Sequence, residues 1–139
     1  MNWNPMVPEL LVEGFEASLH FYVDIIGFDV AFQRTNPRFA YLDLNGAQLM
    51  IEADHDDAWM VDAIVSPRGR GLNLQIDVPD LEVVSSRLEL AGVVPFRAAR
   101  ERWYETSEGP VGQFELLVQD PDGYLIRLVS DVQDVVGTP

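Results

Sequence analysis

VPELLVEGFEASLHFYVDIIGF (residues 7–28) and NLQIDVPDLEVVSSRLELAGVV (residues 73–94) are two writings of one pattern. Each opens on a strand of about six residues, passes through a short acidic turn, and carries apolar residues at helical spacing up to a glycine. The first stripe is Phe15, Leu19, Tyr22 and Ile26; the second is Leu81, Val84, Leu88 and Ala91. Gly27 and Gly92 stand where a helix C-cap is expected. Phe15 falls on Leu81 and Val12 on Val78, a constant offset of 66.

The pattern continues beyond the helices. FAYLDLNGAQLMIEA (residues 39–53) reads as a strand, an Asn45-Gly46 turn and a strand, and Asn-Gly is a strong hairpin signal. QFELLVQDPDGYLIRLVS (residues 113–130) is the same object with a longer turn, in which Pro121 presets φ and Gly123 accepts a positive φ. Gly46 falls on Gly123 at an offset of 77, and the eleven extra residues lie in RAARERWYETSEGPVG, residues 97–112. The chain therefore reads as a single α+β domain of two βαβββ modules, with a curved mixed sheet and helices on the outside. Module 1 covers about residues 6–53, an irregular connection 54–71, module 2 about 72–130, and a C-terminal tail 131–139.

Strand alternation sorts the side chains. Leu10, Val12, Leu49, Ile51, Leu74, Ile76, Ile126 and Leu128 are all apolar and are expected beneath the helices. Glu9, Gln48, Glu52, Asn73, Gln75 and Arg127 alternate with them and are expected on the open face. Arg127 sits in an otherwise apolar strand and needs a partner, a ligand or water; Glu9 and Glu52 are the expected partners.

Composition excludes several chemistries. The 139 residues are 47% hydrophobic and contain no cysteine, so disulfides, thiol nucleophiles and cysteine-bound metals are out. All nine bases are arginine, against 23 acids, for a net charge of −14. The lysine of a Schiff base or a phosphate loop is therefore absent, and the field repels nucleic acid and draws cations. No apolar run is long enough to cross a bilayer and the first residues lack the marks of a signal peptide, so a cytoplasmic location is expected. There is no nucleophile elbow and no glycine-rich phosphate loop. Asp54-His55-Asp56-Asp57 reads as a solvated charge run rather than a metal site, and His20 as a helix-surface histidine.

The paired modules, the helix ending FYVDIIGF and the closing DPDGYLIRL resemble the vicinal oxygen chelate superfamily, from about Val7 to Ser130. That superfamily includes glyoxalase I, extradiol dioxygenases, and fosfomycin- and bleomycin-resistance proteins. Its enzymes usually hold a divalent metal through His, Glu or Gln on the first and last strands of each module. The resemblance puts those positions at Val7, Met50, Asn73 and Arg127, a set unsuited to a hard cation, so neither metal nor other cofactor is expected.

Length, acidity, VPELLV and the DPDG strand are similar to the bleomycin-resistance branch. This implies a homodimer that sequesters a cationic, aromatic antibiotic of the bleomycin kind without turnover, with no nucleic-acid or membrane partner. Phe39 falls where that branch places a groove phenylalanine, and Val111-Gly112 replaces its Trp-Gly pair, with Trp103 or Tyr104 as stand-ins. The expected ligand-binding set is Phe39, Trp59, Trp103, Tyr104, Glu9, Glu52, Asn73, Gln75 and Arg127, with no catalytic residue. The rival expectation is a lyase or isomerase in which Glu9 or Glu52 is a general base and Arg127 steadies an enolate. A regulatory subunit without a ligand is a third.

Overall fold

The computed structural model describes residues 1–132, so 133–139 of the expected tail lie outside the described residues. The chain forms two compact units, Met1–Arg70 with Asp120–Tyr124, and Gly71–Gln119 with the residues from Leu125 onward. The closing DPDG turn thus belongs with the first module rather than the second.

The first unit contains β1 (Glu9–Val12), helix α1 (Phe15–Leu19) continuing as a π-helix through His20–Ile26, β2 (Asp29–Thr35), β3 (Arg38–Leu44) and β4 (Ala47–Ala53). Its sheet runs β1-β4-β3-β2, with β1 and β4 parallel and the other pairs antiparallel. Asn45 (φ 51°) and Gly46 (φ 96°) turn β3 into β4, both in the left-handed region that a two-residue hairpin turn demands. The helix ends at Gly27 (φ 112°), whose amide donates to the Tyr22 carbonyl.

The wider π turn alters which residues face inward. Phe15, Ser18, Phe21, Tyr22, Ile25 and Ile26 are buried, whereas Leu19, part of the expected stripe, is only half-buried. Beneath them lie Leu10, Val12, Ala40, Leu42, Leu49 and Ile51, each buried. Tyr22 is fully enclosed, so its hydroxyl needs an acceptor; it donates to Asp120 Oδ2 at 2.6 Å. At Gly123 (φ 102°) a Cβ would stand 2.4 Å from Pro67 Cβ, which leaves room only for glycine.

The second unit contains β5 (Asn73–Asp77), α2 (Leu81–Leu90), β6 (Arg97–Thr106), β7 (Gly109–Gln119) and β8 (Leu125–Asp131). Its sheet runs β5-β8-β7-β6, with β5 and β8 parallel. Asp80 caps α2, its carboxylate accepting from Val83 N at 3.2 Å, and Gly92 (φ 73°) follows its last turn. Leu81, Val84 and Leu88 pack with Ile76, Leu116, Val118, Ile126 and Leu128, all buried. The eleven extra residues lengthen the β6–β7 hairpin. Each unit is therefore the expected strand–helix–three-strand module with a mixed sheet and a helix on one face.

Candidate functional site

Register fixes what lies on the face of the first sheet away from its helix. Glu9 pairs with Met50 and Met50 with Tyr41; Leu11 pairs with Glu52, Glu52 with Phe39, and Phe39 with Arg34. Paired residues project to the same side, so Glu9 and Glu52 are diagonal neighbours with Arg34 two strands away. His55, just past β4, turns a ring nitrogen back to Glu52 Oε2 at 3.2 Å. Loss of water around Glu9 pushes its carboxyl above its ordinary value, the Glu52 charge adds to this, and Arg34 and His55 pull it down.

A groove of about 900 Å³ opens beside this pair. Glu9, Leu11 and Met50 form its sheet side, and Trp59, Met60 and Ile64 of the connection form its rim. Trp59 is 92% exposed, so its indole contributes nothing to the core. The connection is held at its base, where Arg68 donates to both Asp54 carboxylate oxygens (2.8 and 2.6 Å) and to the Leu11 carbonyl (3.0 Å).

Phe39 is on this face but is only 1% exposed. The Arg34 guanidinium lies 4.0 Å from its ring centroid and Phe32 packs alongside at 5.7 Å. Phe39, expected to stack on a ligand, here forms the floor under Arg34. Gln48 is likewise engaged, accepting from Tyr41 (2.6 Å) and Asn4 N (2.8 Å) and donating to Asn2 O (2.7 Å), which ties down the N-terminal residues.

In the second unit the face away from α2 carries Asn73 and Gln75 on β5, both exposed, and Arg127 on β8 paired with Gln75. Within its own unit Arg127, for which Glu9 and Glu52 were the expected partners, has a different carboxylate neighbour. Arg127 Nη1 lies 3.9 Å from Glu115 Oε2, a buried carboxylate on β7. Glu115 also accepts from the Tyr104 hydroxyl (3.0 and 2.9 Å) and from Gln113 (3.2 Å). Sequence reading missed Glu115, although its alternation with Leu116 and its place two strand positions from Leu117 would have assigned it to the open face.

Trp103 and Tyr104 are adjacent in β6 and so point to opposite sides. Tyr104 pairs with Val111 and faces Glu115. Trp103 pairs with Gly112 and its ring lies over that glycine, where a Cβ would meet it at 2.7 Å. Of the two expected stand-ins, Tyr104 is on the open face beside Val111 and Trp103 is on the opposite face.

The metal of the superfamily finds no matching donors here. Met50 brings a thioether and Arg127 a cation, their register partners are Glu9 and Gln75, and among the described residues no three His, Asp or Glu side chains converge. Among them, too, no helix is long and apolar enough to cross a membrane.

Among solved structures, the chain is similar to TioX from Micromonospora sp. ML1, with TM-score 0.69 at 19% identity, covering 94% of this chain and 100% of that one. It is also similar to a virulence protein from Salmonella typhimurium, with TM-score 0.67 at 18% identity and coverage of 95% and 100%. These two likenesses concern the fold alone. A glyoxalase/bleomycin resistance protein/dioxygenase superfamily member from Vibrio splendidus 12B01 is 32% identical over 88% of this chain and 95% of its own, with TM-score 0.41. No curated protein matches. The sequence profile of the Glyoxalase/Bleomycin resistance protein/Dioxygenase superfamily matches residues 6–128, and with the two βαβββ units in place the chain belongs to that superfamily.

Proposed function

We propose that the protein binds and sequesters a cationic small molecule bearing an aromatic ring, in the manner of the bleomycin-resistance branch, without turnover. The observation that carries the proposal is the first unit's groove, in which the exposed Trp59 indole borders a space whose sheet side holds Glu9. A flat cation gains there by stacking on the indole and by relieving the repulsion between Glu9 and Glu52. The net charge of −14 steers such a ligand inward. A homodimer and a cytoplasmic location complete the proposal.

The test is calorimetric titration with metal-free bleomycin at low and at physiological salt. Saturable binding near one drug per chain is expected, weaker at the higher salt. Trp59→Ala should weaken it by about tenfold, the loss of one aromatic contact. No heat at either salt from folded protein overturns the drug assignment. A second reading rests on Glu9, whose raised carboxyl pKa brings it toward the range of a general base. Turnover of a carbonyl substrate that is lost in Glu9→Gln would favour that lyase or isomerase reading.

A further inference from the structure

Positive charge is gathered on one face of an acidic chain. Of the nine arginines, Arg97, Arg100 and Arg102 on β6 and Arg127 on β8 share the side of the second sheet away from α2. Register makes the assignment: Arg97 pairs with Leu117, which pairs with Arg127, while Arg100 pairs with Glu115 and Arg102 with Gln113. Among the described residues, Arg97, Arg100 and Arg102 form no ion pair. The acids on this face are Glu115 at its centre and Asp77 and Asp131 on its flank.

Of the four, Arg127 is the one with a buried nitrogen that lacks an acceptor among the described residues. Its guanidinium carries five N–H donors in a planar fork. Among the described residues its one carboxylate neighbour, Glu115, stands at 3.9 Å, which is attraction without a hydrogen bond. Both Glu115 oxygens already accept from Tyr104, and one also from Gln113. Arg127 Nε is buried with no acceptor among the described residues. A partly buried guanidinium, 30% exposed and left in this state, is stabilised by an incoming oxyanion, which its fork can grip with two oxygens at once.

We propose that this face docks the carboxylate or phosphate group of a small anionic molecule, with Arg127 as the anchor, Arg97 and Arg100 flanking, and Gln75 beside it on β5. The net charge of −14 repels long polyanions, so the ligand is a small molecule rather than a nucleic acid. The inference goes beyond the cation groove: it uses other residues and the opposite sign of ligand, and stands or falls without it.

The test titrates the full chain with sodium benzoate and, separately, with phenyl phosphate at constant ionic strength. The arginine Nε–Hε signals are followed by NMR, with sodium chloride as the control. A saturable shift of the Arg127 signal is expected with at least one probe, and the tighter of the two names the group as carboxylate or phosphate. Arg127→Gln should weaken binding by about tenfold or more, as for a lost charge-assisted bidentate contact. The exposed pair Arg97→Gln and Arg100→Gln, which leaves the core untouched, should weaken it by about threefold. No saturable shift with either probe, an equal shift with chloride, or unchanged affinity in the Arg97/Arg100 double variant overturns the proposal. Bleomycin binding read at Trp59 is a separate signal, so failure of one reading is distinguishable from failure of the other.

Discussion

Tyr22 and Asp120 show how one hydroxyl decides the fate of a buried acid. Asp120 Oδ1 accepts from the Asp122 and Tyr124 amides at 2.9 and 3.0 Å, leaving Oδ2 for Tyr22 alone. Burial raises the Asp120 carboxyl above its ordinary 3.8, although the three donors oppose the rise. A raised folded-state value means that the fold favours the protonated acid. The contribution of Asp120 is thus greatest below 3.8 and diminishes as pH climbs through the raised value. Tyr22→Phe removes the donor that makes the carboxylate tolerable, at a cost of about 1–3 kcal/mol. Urea denaturation at neutral and acid pH should show a larger loss at neutral pH; an equal loss at both would refute the role given to the hydroxyl.

At the scale of elements, the connection between β4 and β5 is anchored rather than simply irregular. Arg68 grips Asp54 with two hydrogen bonds, and its own amide donates to Asp122 O at 2.9 Å. The hydrogen bond from Arg68 holds the Asp54 carboxyl below its ordinary value, against a smaller opposing effect of burial. With the folded value lowered, the stabilisation is present above the ordinary carboxylate value and disappears as pH falls through the lowered one. Asp54→Asn should therefore melt below the wild type at neutral pH, and the gap should close in strong acid. A gap independent of pH would show that the ion pair is not its cause. Helix α1 holds a complementary lesson. Its apolar spacing was readable, but the π turn that brings Phe21 and Tyr22 inward together is made by backbone bonds that no residue pattern announces.

For the molecule as a whole, the two units put opposite charges on their open faces, Glu9 and Glu52 in the first and four arginines in the second. Net charge alone conceals this. Large apolar side chains remain exposed, among them Met6 (83%), Trp59 (92%) and Val61 (108%), and the proposed homodimer offers them a surface to cover. A homodimer is the expected state, and sedimentation equilibrium should return about twice the chain mass of 15.6 kDa. A mass of one chain at all concentrations would remove the dimer from the proposed function.

The sequence by itself determined the repeat, the turn chemistry at Asn45-Gly46 and Gly123, and the inward set from Leu10 to Leu128 apart from the half-buried Leu74. Each of these is local, set by period or by φ. Tertiary structure decided the partner of Arg127, the covering of Phe39 by Arg34, the separation of Trp103 from Tyr104 and the joining of the DPDG turn to the first unit. Those depend on strand register and on which distant segments meet, and a shift of one residue in pairing would have reversed every face.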